Sequence, residues 1–179
     1  MYKNERVSTL FTAQQIEARL VELAAEINHD YTGKEILLVG TLKGAYIFMA
    51  DLSRKLTGPV EIDFMKASSY GDSTRPSELK FEKLSETKFT GKHVLLVEDI
   101  VDTGRTLAFL RDEVNNQNAA SLRVCTLLDK PSRREVELAA CEYIGFTIPD
   151  EFVVGYGLDY AQRYRNLPYV GILNFENEK

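Results

Sequence analysis

The first part of the chain has a hydrophobic pattern that predicts a helix, a strand and a second helix. Apolar residues recur at helical spacing behind a capping box formed by Thr12 and Gln15, which predicts a helix over residues 13–29. The apolar run EILLVG, residues 35–40, predicts a buried strand. A second helix is expected after Gly44. Its apolar positions lie on related faces: Tyr46, Met49, Leu52 and Leu56.

The rest of the chain repeats this succession of short apolar blocks. Strands are expected over residues 60–66, 93–97, 122–128, 152–155 and 169–173. Helices are expected over residues 104–116 and, as a short element, 133–139. Strands that alternate with helices predict an α/β fold of the Rossmann-like kind, in which helices flank both faces of a central, mostly parallel sheet.

Residues 67–90 interrupt this pattern, because they are polar and contain few large apolar side chains. A segment of that length inside a compact domain is usually a lid or disordered. We therefore expect a mobile lid loop, with hairpin character left open, and not a linker, since core strands resume after it. The whole chain, residues 1–179, is expected to form one domain.

Composition and charge narrow the class of protein. The 179 residues are 44% hydrophobic and 27% charged, with a net charge of −5 and a pI of about 5.2. This acidic balance carries no overall footprint of nucleic-acid binding. Cys125 and Cys141 lie in apolar surroundings without metal-ligand spacing, which favours structural burial and a reducing cytoplasm. No run approaches a membrane span and no signal peptide is evident, so a cytoplasmic protein without a membrane partner is expected.

The segment VLLVEDIVDTGRTL, residues 94–107, carries the clearest indication of function. A buried strand runs into the adjacent carboxylates Glu98 and Asp99 and then into a hydroxyl-rich turn before a helix. Backbone N–H groups, Thr hydroxyls and the helix N-terminus make such a turn a phosphate cradle. Carboxylates accept hydrogen bonds, so the acidic pair suits vicinal sugar hydroxyls. The predicted ligand is a sugar phosphate. The alternative is an ordinary buried strand that ends in Asp.

This segment resembles the 5-phosphoribosyl diphosphate (PRPP) signature of the type I phosphoribosyltransferases, in which two carboxylates precede a D-T-G-x-T turn. Four further segments resemble the same family and, within it, the bacterial hypoxanthine(-guanine) enzymes. They are LKGAYIFMADL at 42–52, SSYG at 68–71, LDKPSRR at 128–134 and FVVGYGLDY at 152–160. The resemblance covers roughly residues 9–173 and implies the type I fold, with a small hood region beside the main sheet.

The resemblance also implies an activity. The expected reaction is transfer of the 5-phosphoribosyl group from PRPP to N9 of hypoxanthine, and of guanine as a second base. The products are IMP or GMP and pyrophosphate, in a purine salvage step that uses Mg²⁺. Family resemblance further suggests a homodimer or homotetramer.

Site roles follow from the same resemblance. The residues expected to bind the ribose and 5′-phosphate of PRPP are Glu98, Asp99, Asp102, Thr103, Gly104, Arg105 and Thr106. Asp102 is also expected to be the catalytic proton acceptor at N7 of the base. Pyrophosphate is expected at Lys43, Gly44 and Arg165. In the loop that contains Lys43 and Gly44, the family often has a cis peptide between Leu42 and Lys43.

The remaining roles concern the base, the metal and the lid. The base is expected at Lys130, Phe152, Val153 and Asp159, with Lys130 meeting the exocyclic O6 and Phe152 stacking on the ring. The metal ligands are expected to be Glu98, Asp99 and Asp159. Ser69 and Tyr70 are expected to close over the sugar as part of the lid.

Each assignment has a plainer alternative. Lys43, Lys130 and Arg165 could be solvated surface charges, Phe152 a core residue, and Asp102 a simple helix cap. A different class of function is a PRPP-sensing regulator that binds nucleic acid and has little transferase activity. The acidic net charge, the lack of an added DNA-binding segment and the complete set of Lys130, Phe152 and Asp159 argue against that class.

Overall fold

The computed structural model describes residues 5–70, 78–83, 87–137 and 141–175, with backbone alone for 67–70 and 78–83. The strands are β1 Glu5–Phe11, β2 Ile36–Thr41, β3 Val60–Tyr70, β4 Glu78–Lys83, β5 His93–Val101, β6 Ser121–Asp129, β7 Tyr143–Thr147, β8 Val153–Val154 and β9 Val170–Phe175. The helices are α1 Ala13–Asp30, α2 Tyr46–Ser53 and α3 Arg105–Asn115, with a short 3-10 helix over Pro131–Arg133.

The main sheet has six strands in the order β4-β3-β2-β5-β6-β7. Strands β3, β2, β5, β6 and β7 are parallel, and β4 joins the edge antiparallel to β3. Successive side chains of a strand point to opposite faces. Leu38 and Val97 accordingly pack with α1 and α2, whereas Leu37 and Leu96 pack with α3 on the other face. The predicted α/β architecture is therefore confirmed.

A second, three-stranded antiparallel sheet in the order β1-β9-β8 forms the small hood. The hydrophobic pattern does not predict β1 or the edge strand β7. Strand β1 has only half-buried and exposed positions, and β7 is mostly half-buried. Neither has a continuous apolar run or a strict alternation, so neither pattern that marks a strand is present.

Helix α1 begins as the sequence predicts. Thr12 Oγ1 accepts a hydrogen bond from Gln15 N at 3.2 Å, and Thr12 N donates to Gln15 Oε1 at 2.9 Å. This capping box satisfies two backbone donors at the helix start. The helix predicted after Gly44 is present as α2, but its apolar residues do not share one buried face. Tyr46 is 41% exposed, whereas Met49 and Leu52 lie in the core. Within the described ranges, no helix is both long and apolar enough to cross a membrane.

The hairpin character left open for residues 67–90 is present in part of the segment, which is there a pair of strands and not a loop. Residues 65–70 of β3 pair in antiparallel register with residues 78–83 of β4, which makes this part a hairpin at the sheet edge. Residues 71–77 and 84–86 lie outside the described residues. The motion of this segment as a lid stays a prediction, because the side chains of Ser69 and Tyr70 are also outside that description.

The helix expected over residues 133–139 is also wrong within the described part of that segment. Only the 3-10 turn at Pro131–Arg133 forms, and residues 138–140 lie outside the description. The backbone N–H groups of Glu135 and Val136 both donate to Thr103 O, at 3.0 and 3.3 Å. Because these donors bond to a neighbouring segment, the intrahelical bonds of a longer helix do not form.

Candidate active site

The carboxyl ends of β2 and β5 open into a cavity of about 370 Å³. Ligands of open α/β sheets collect at this edge. Sequence segments far apart in the chain line it: Thr41, Leu42, Lys43, Gly44, Glu98, Asp99, Asp102, Thr103, Gly104, Thr106, Asp159 and Arg165. A second cavity of about 270 Å³ adjoins the first and is lined by Asp99, Ile100, Asp102, Lys130, Phe152, Val153, Leu158 and Asp159. The two cavities share three carboxylates.

The fold thus brings together most of the residues predicted for the site. Arg105 is the exception, because its exposed side chain forms an ion pair with Glu135 at 2.6 Å and does not line either cavity. Its backbone N–H still belongs to the first turn of α3. Ser69 and Tyr70 are part of β3, and the placement of their side chains is not described.

The turn between β5 and α3 has the shape expected of a phosphate cradle. Gly104 precedes α3 with φ of 85°, a left-handed conformation that glycine adopts without a steric penalty. Gly104, the residue before the helix, has no side chain that could cap it, and at the mouth of the cavity the first helical N–H, that of Arg105, donates to Thr103 Oγ1 at 3.4 Å. Such a helix start attracts an anion through its N–H groups and its dipole.

The two adjacent carboxylates of β5 differ in environment. Glu98 is only 6% exposed, and its Oε2 lies 2.5 Å from the hydroxyl of Thr41. That hydroxyl is also 3.0 Å from Val97 O. A hydroxyl has one hydrogen, so a protonated Glu98 that donates to Thr41 satisfies both contacts. Burial, followed by the charge of Asp99, raises the pKa of Glu98 to about 8.

This buried acid should make the stability of the ligand-free protein depend on pH. The folded state keeps the proton up to about pH 8, whereas the unfolded chain releases it near the ordinary value of the Glu pKa, so the free energy of unfolding should fall as pH rises from 5 to 8. Glu98→Gln cannot ionise and should be more stable than wild type at pH 8 by about 2–4 kcal/mol. Denaturant unfolding at pH 5 and 8, with a metal chelator present, measures the difference.

The matched control for this prediction is Glu22→Gln, because Glu22 is an exposed glutamate of α1. Its unfolding profile should keep the slope of the wild-type protein. An equally steep fall in stability for Glu98→Gln would show that Glu98 is not the group responsible.

Asp99 has a different surrounding from its neighbour. Its Oδ1 accepts a hydrogen bond from Ile100 N at 2.9 Å, and burial raises its pKa to about 6. The positive charge of Arg165 lowers this pKa, and the negative charge of Asp159 raises it. Asp99 and Asp159 therefore face the same cavity and interact through it.

The loop after β2 lies directly against Asp99. Its Leu42–Lys43 peptide is cis. A side-chain carbon added at Gly44 would overlap the carboxylate of Asp99, and one added at Gly157 would overlap Gly44 O. The loop is therefore held between the end of β5 and the hood, at distances that only glycine allows.

A cluster of polar side chains closes the hood side of the cavity. Arg165 donates from Nη1 to Gly157 O at 2.7 Å and pairs through Nη2 with Asp159 Oδ1 at 2.7 Å. Gln162 N donates to Asp159 Oδ2 at 2.8 Å, and Lys43 Nζ donates to Gln162 Oε1 at 3.1 Å. Two cations thus meet at one end of the cavity, where they suit a polyanionic group.

The adjoining cavity offers a flat ring and a buried cation. Phe152 is 51% exposed, and Tyr160 packs edge-on against it with ring centroids 5.7 Å apart. The Phe152 backbone is fixed by the bond from Leu173 N to Phe152 O at 2.8 Å. Lys130 directly follows β6 and is only 6% exposed. An exposed aromatic face beside a cation suits a planar base that carries a carbonyl.

The acidic residues could bind Mg²⁺ through one or two carboxylates, with water and substrate as the other ligands, but not through a complete set of protein ligands. Among the described residues, no three His, Cys, Asp or Glu side chains are grouped so that they could hold one metal ion. Mg²⁺ commonly takes one or two carboxylates and completes its shell with water and substrate phosphates. Asp99 and Asp159 fit that pattern, whereas Glu98 lies behind them, buried against Thr41.

Four residues that contact the site are not predicted by the sequence pattern: Thr41, Gln162, Arg133 and Asp150. Thr41 and Gln162 lie inside or next to matched segments, but their contacts depend on backbone geometry, including φ of 64° at Gln162. Arg133 Nε hydrogen-bonds to Asp102 Oδ1 at 3.3 Å, and Asp150 Oδ1 lies 3.8 Å from Lys130 Nζ. These contacts join segments that are far apart in the chain.

Known proteins resemble the chain over almost its whole length. The phosphoribosyl transferase domain family matches residues 6–161. Hypoxanthine phosphoribosyltransferase of Haemophilus influenzae is 51% identical over 173 residues, which cover 94% of this chain and 96% of that protein. Hypoxanthine-guanine phosphoribosyltransferase of Streptococcus agalactiae is 48% identical over 177 residues, which cover 98% of each.

Solved structures agree with the sequence comparison. A crystal structure of a hypoxanthine-guanine phosphoribosyltransferase from Bacillus anthracis matches with a TM-score of 0.88 at 46% identity, covering 95% of this chain and 99% of that one. A hypoxanthine phosphoribosyltransferase from Staphylococcus aureus also matches with a TM-score of 0.88, at 44% identity and covering 93% and 91%. The sequence, the fold and the two adjoining cavities lead to one assignment: the chain belongs to the hypoxanthine phosphoribosyltransferase family.

Proposed function

We propose that the chain transfers the 5-phosphoribosyl group from PRPP to N9 of hypoxanthine or guanine. The products are IMP or GMP and pyrophosphate, and the reaction belongs to purine salvage. The observation that carries the proposal is the joined pair of cavities, in which an anion-binding turn, a cation cluster and a flat base surface surround shared carboxylates. Transferase names of relatives that align over nearly the whole chain support it.

The turn and the cation cluster are two separate anion sites, one for the 5′-phosphate of PRPP and one for its diphosphate. We assign the 5′-phosphate to the turn at Thr103–Thr106 and the diphosphate to Lys43 and Arg165. Asp99 lines the same cavity as both anion sites, where its carboxylate can accept hydrogen bonds from the ribose hydroxyls, and the more buried Glu98 lines it as well. Mg²⁺ held by Asp99 and Asp159 would neutralise charge on the diphosphate.

Displacement at the anomeric carbon passes through an oxocarbenium-like state, as in glycoside cleavage. The chain contributes by aligning the base and sugar and by placing positive charge where the pyrophosphate leaves. Asp102 faces both cavities and can accept the N7 proton while N9 bonds to the sugar. Lys130 donates to O6, Phe152 stacks on the ring, and Val153 presents its backbone to the base edge.

The remaining features of the proposal rest on family resemblance. We propose a cytoplasmic homodimer or homotetramer of one-domain chains, with residues 67–90, including Ser69 and Tyr70, as a lid over PRPP. The regulator alternative has less support, because each of the relatives described above is named as a transferase. The acidic net charge also argues against a nucleic-acid partner.

A direct assay tests the proposed reaction. Purified protein, PRPP, Mg²⁺ and hypoxanthine are mixed, and nucleotide formation is followed by absorbance. The proposal predicts one IMP and one pyrophosphate for each PRPP consumed, and loss of activity when a chelator removes the metal. Binding of PRPP without nucleotide formation would instead favour the regulator.

Base selectivity should depend on Lys130. A site that pairs a buried donor with a carbonyl discriminates against a base that presents an amino group there, by up to 10⁴–10⁵-fold. Wild type should therefore use adenine very poorly, and Lys130→Ala should lower kcat/KM for hypoxanthine and guanine by about 10²-fold or more. Steady-state kinetics with the three bases measures this.

The control for Lys130 is Lys34→Ala, because Lys34 is an exposed lysine near the opposite end of β2. It should leave the kinetics with all three bases unchanged. Equal use of adenine and hypoxanthine by the wild-type protein would refute the assignment of Lys130 to O6.

A further inference from the structure

The segment that carries Lys130 is fastened to the turn that carries Asp102. Lys130 N donates to Val101 O at 2.9 Å, and Glu135 N donates to Thr103 O at 3.0 Å. The base-binding segment therefore lies directly beside the phosphate-binding turn. Any side chain that bridges the two segments acts on both at once.

Two side chains outside the roles assigned so far form such a bridge. Arg133 Nε hydrogen-bonds to Asp102 Oδ1 at 3.3 Å, and its Nη1 lies 3.7 Å from Asp150 Oδ2. The other oxygen of Asp150, Oδ1, lies 3.8 Å from Lys130 Nζ. Four side chains of alternating charge thus follow one another in space, and we call them the charge chain: Lys130, Asp150, Arg133 and Asp102.

The distances in the charge chain leave Lys130 and Asp102 with hydrogen-bonding capacity for a ligand. The 3.8 Å separation of Lys130 from Asp150 is an ion pair but is too long for a hydrogen bond. Asp150 thus compensates the charge of a nearly buried ammonium without occupying one of its donors. At the other end, Arg133 takes one oxygen of Asp102, and the second oxygen is not used by this hydrogen bond.

We propose that Arg133 and Asp150 are positioning residues for the purine: as one charge chain they hold the O6 donor Lys130 and the N7 proton acceptor Asp102 at a fixed separation. The inference rests on the proposed function. Lys130 and Asp102 follow two different strands, β6 and β5, and recognise two neighbouring edges of the same base. Their alignment with each other decides how many bound bases are ready to react.

Variants that remove one charge from the charge chain test this inference. Asp150→Asn keeps the shape of the side chain and removes its charge, and Arg133→Gln removes the guanidinium. Each should raise KM for hypoxanthine or lower kcat so that kcat/KM falls roughly three- to tenfold, while the PRPP Kd from calorimetry stays within about twofold. The double variant should lose no more than the worse single variant, because either change already disconnects Lys130 from Asp102.

Arg54→Gln is the matched control, since Arg54 forms an exposed ion pair with Asp51 on α2. It should leave KM and kcat unchanged, and thermal unfolding of every variant verifies the fold. Should Arg133→Gln fail to fold, the change in kcat/KM for hypoxanthine of Asp150→Asn alone decides the matter.

Two results would overturn the inference. One is a double variant in which the two losses multiply, which would mean that the residues act independently. The other is an active wild-type protein whose variants keep kcat/KM for hypoxanthine within about threefold of its own. A wild-type protein that makes no nucleotide would instead refute the proposed function, so the two failures are distinguishable.

Discussion

Asp102→Asn should lower kcat by about 10²–10⁴-fold while PRPP binding stays within a few fold of wild type. The amide has the shape of the carboxylate but cannot accept the N7 proton as N9 bonds to the sugar. The loss should therefore fall on the transition state, where the charge on the base changes most, and not on ground-state binding. The structure does not favour the helix-cap alternative, because Asp102 Oδ1 accepts a hydrogen bond from Arg133 Nε, and the side chain that accepts from the first N–H of α3 is that of Thr103.

Single-turnover kinetics and PRPP calorimetry on the same preparation measure this effect. The control is Asp112→Asn, the same change on the exposed face of α3, which should leave kcat unaltered. Near-normal kcat in Asp102→Asn would show that Asp102 is not the catalytic proton acceptor and would leave it as a partner of Arg133 only.

Gly44→Ala should lower kcat/KM by about 10²-fold or more, since misplacement of a site by about 1 Å can cost that factor. The added methyl group would overlap the carboxylate of Asp99. The loop cannot retreat to the other side, because Gly157 already packs on Gly44 O. Either the loop or Asp99 must therefore move, and both belong to the predicted PRPP site.

Gly58→Ala provides the matched control, because a side-chain carbon there meets only Lys34 O at 3.7 Å, an ordinary contact. Steady-state kinetics and circular dichroism of both variants separate a local defect from unfolding. Wild-type kcat/KM in a folded Gly44→Ala protein would contradict the close approach of the loop to Asp99.

The sequence predicts the main sheet because its central strands are continuous apolar runs between helical patterns. The same reasoning fails at the sheet edges, where β1 and β7 are only half-buried and show no such run. It also fails after Lys130, where the N–H groups of Glu135 and Val136 bond to Thr103 O and no helix follows. Bonds between distant segments decide these cases, and local pattern does not contain them.

The site shows the same division. Adjacent residues such as Glu98 and Asp99 are recognisable from sequence, because strand, acids and turn are contiguous. Their different environments are not recognisable, since the partner of Glu98, Thr41, comes from another strand. The bridge through Arg133 and Asp150 depends likewise on how two loops meet at the sheet edge.

A crystal structure of the protein with IMP bound is the most direct test of the proposed site. We expect the 5′-phosphate on the turn at Thr103–Thr106 and the base against the Phe152 ring. O6 should lie within hydrogen-bond distance of Lys130 Nζ, and N7 should face Asp102. A nucleotide bound with its phosphate away from this turn, or with O6 turned away from Lys130, would refute the proposed site.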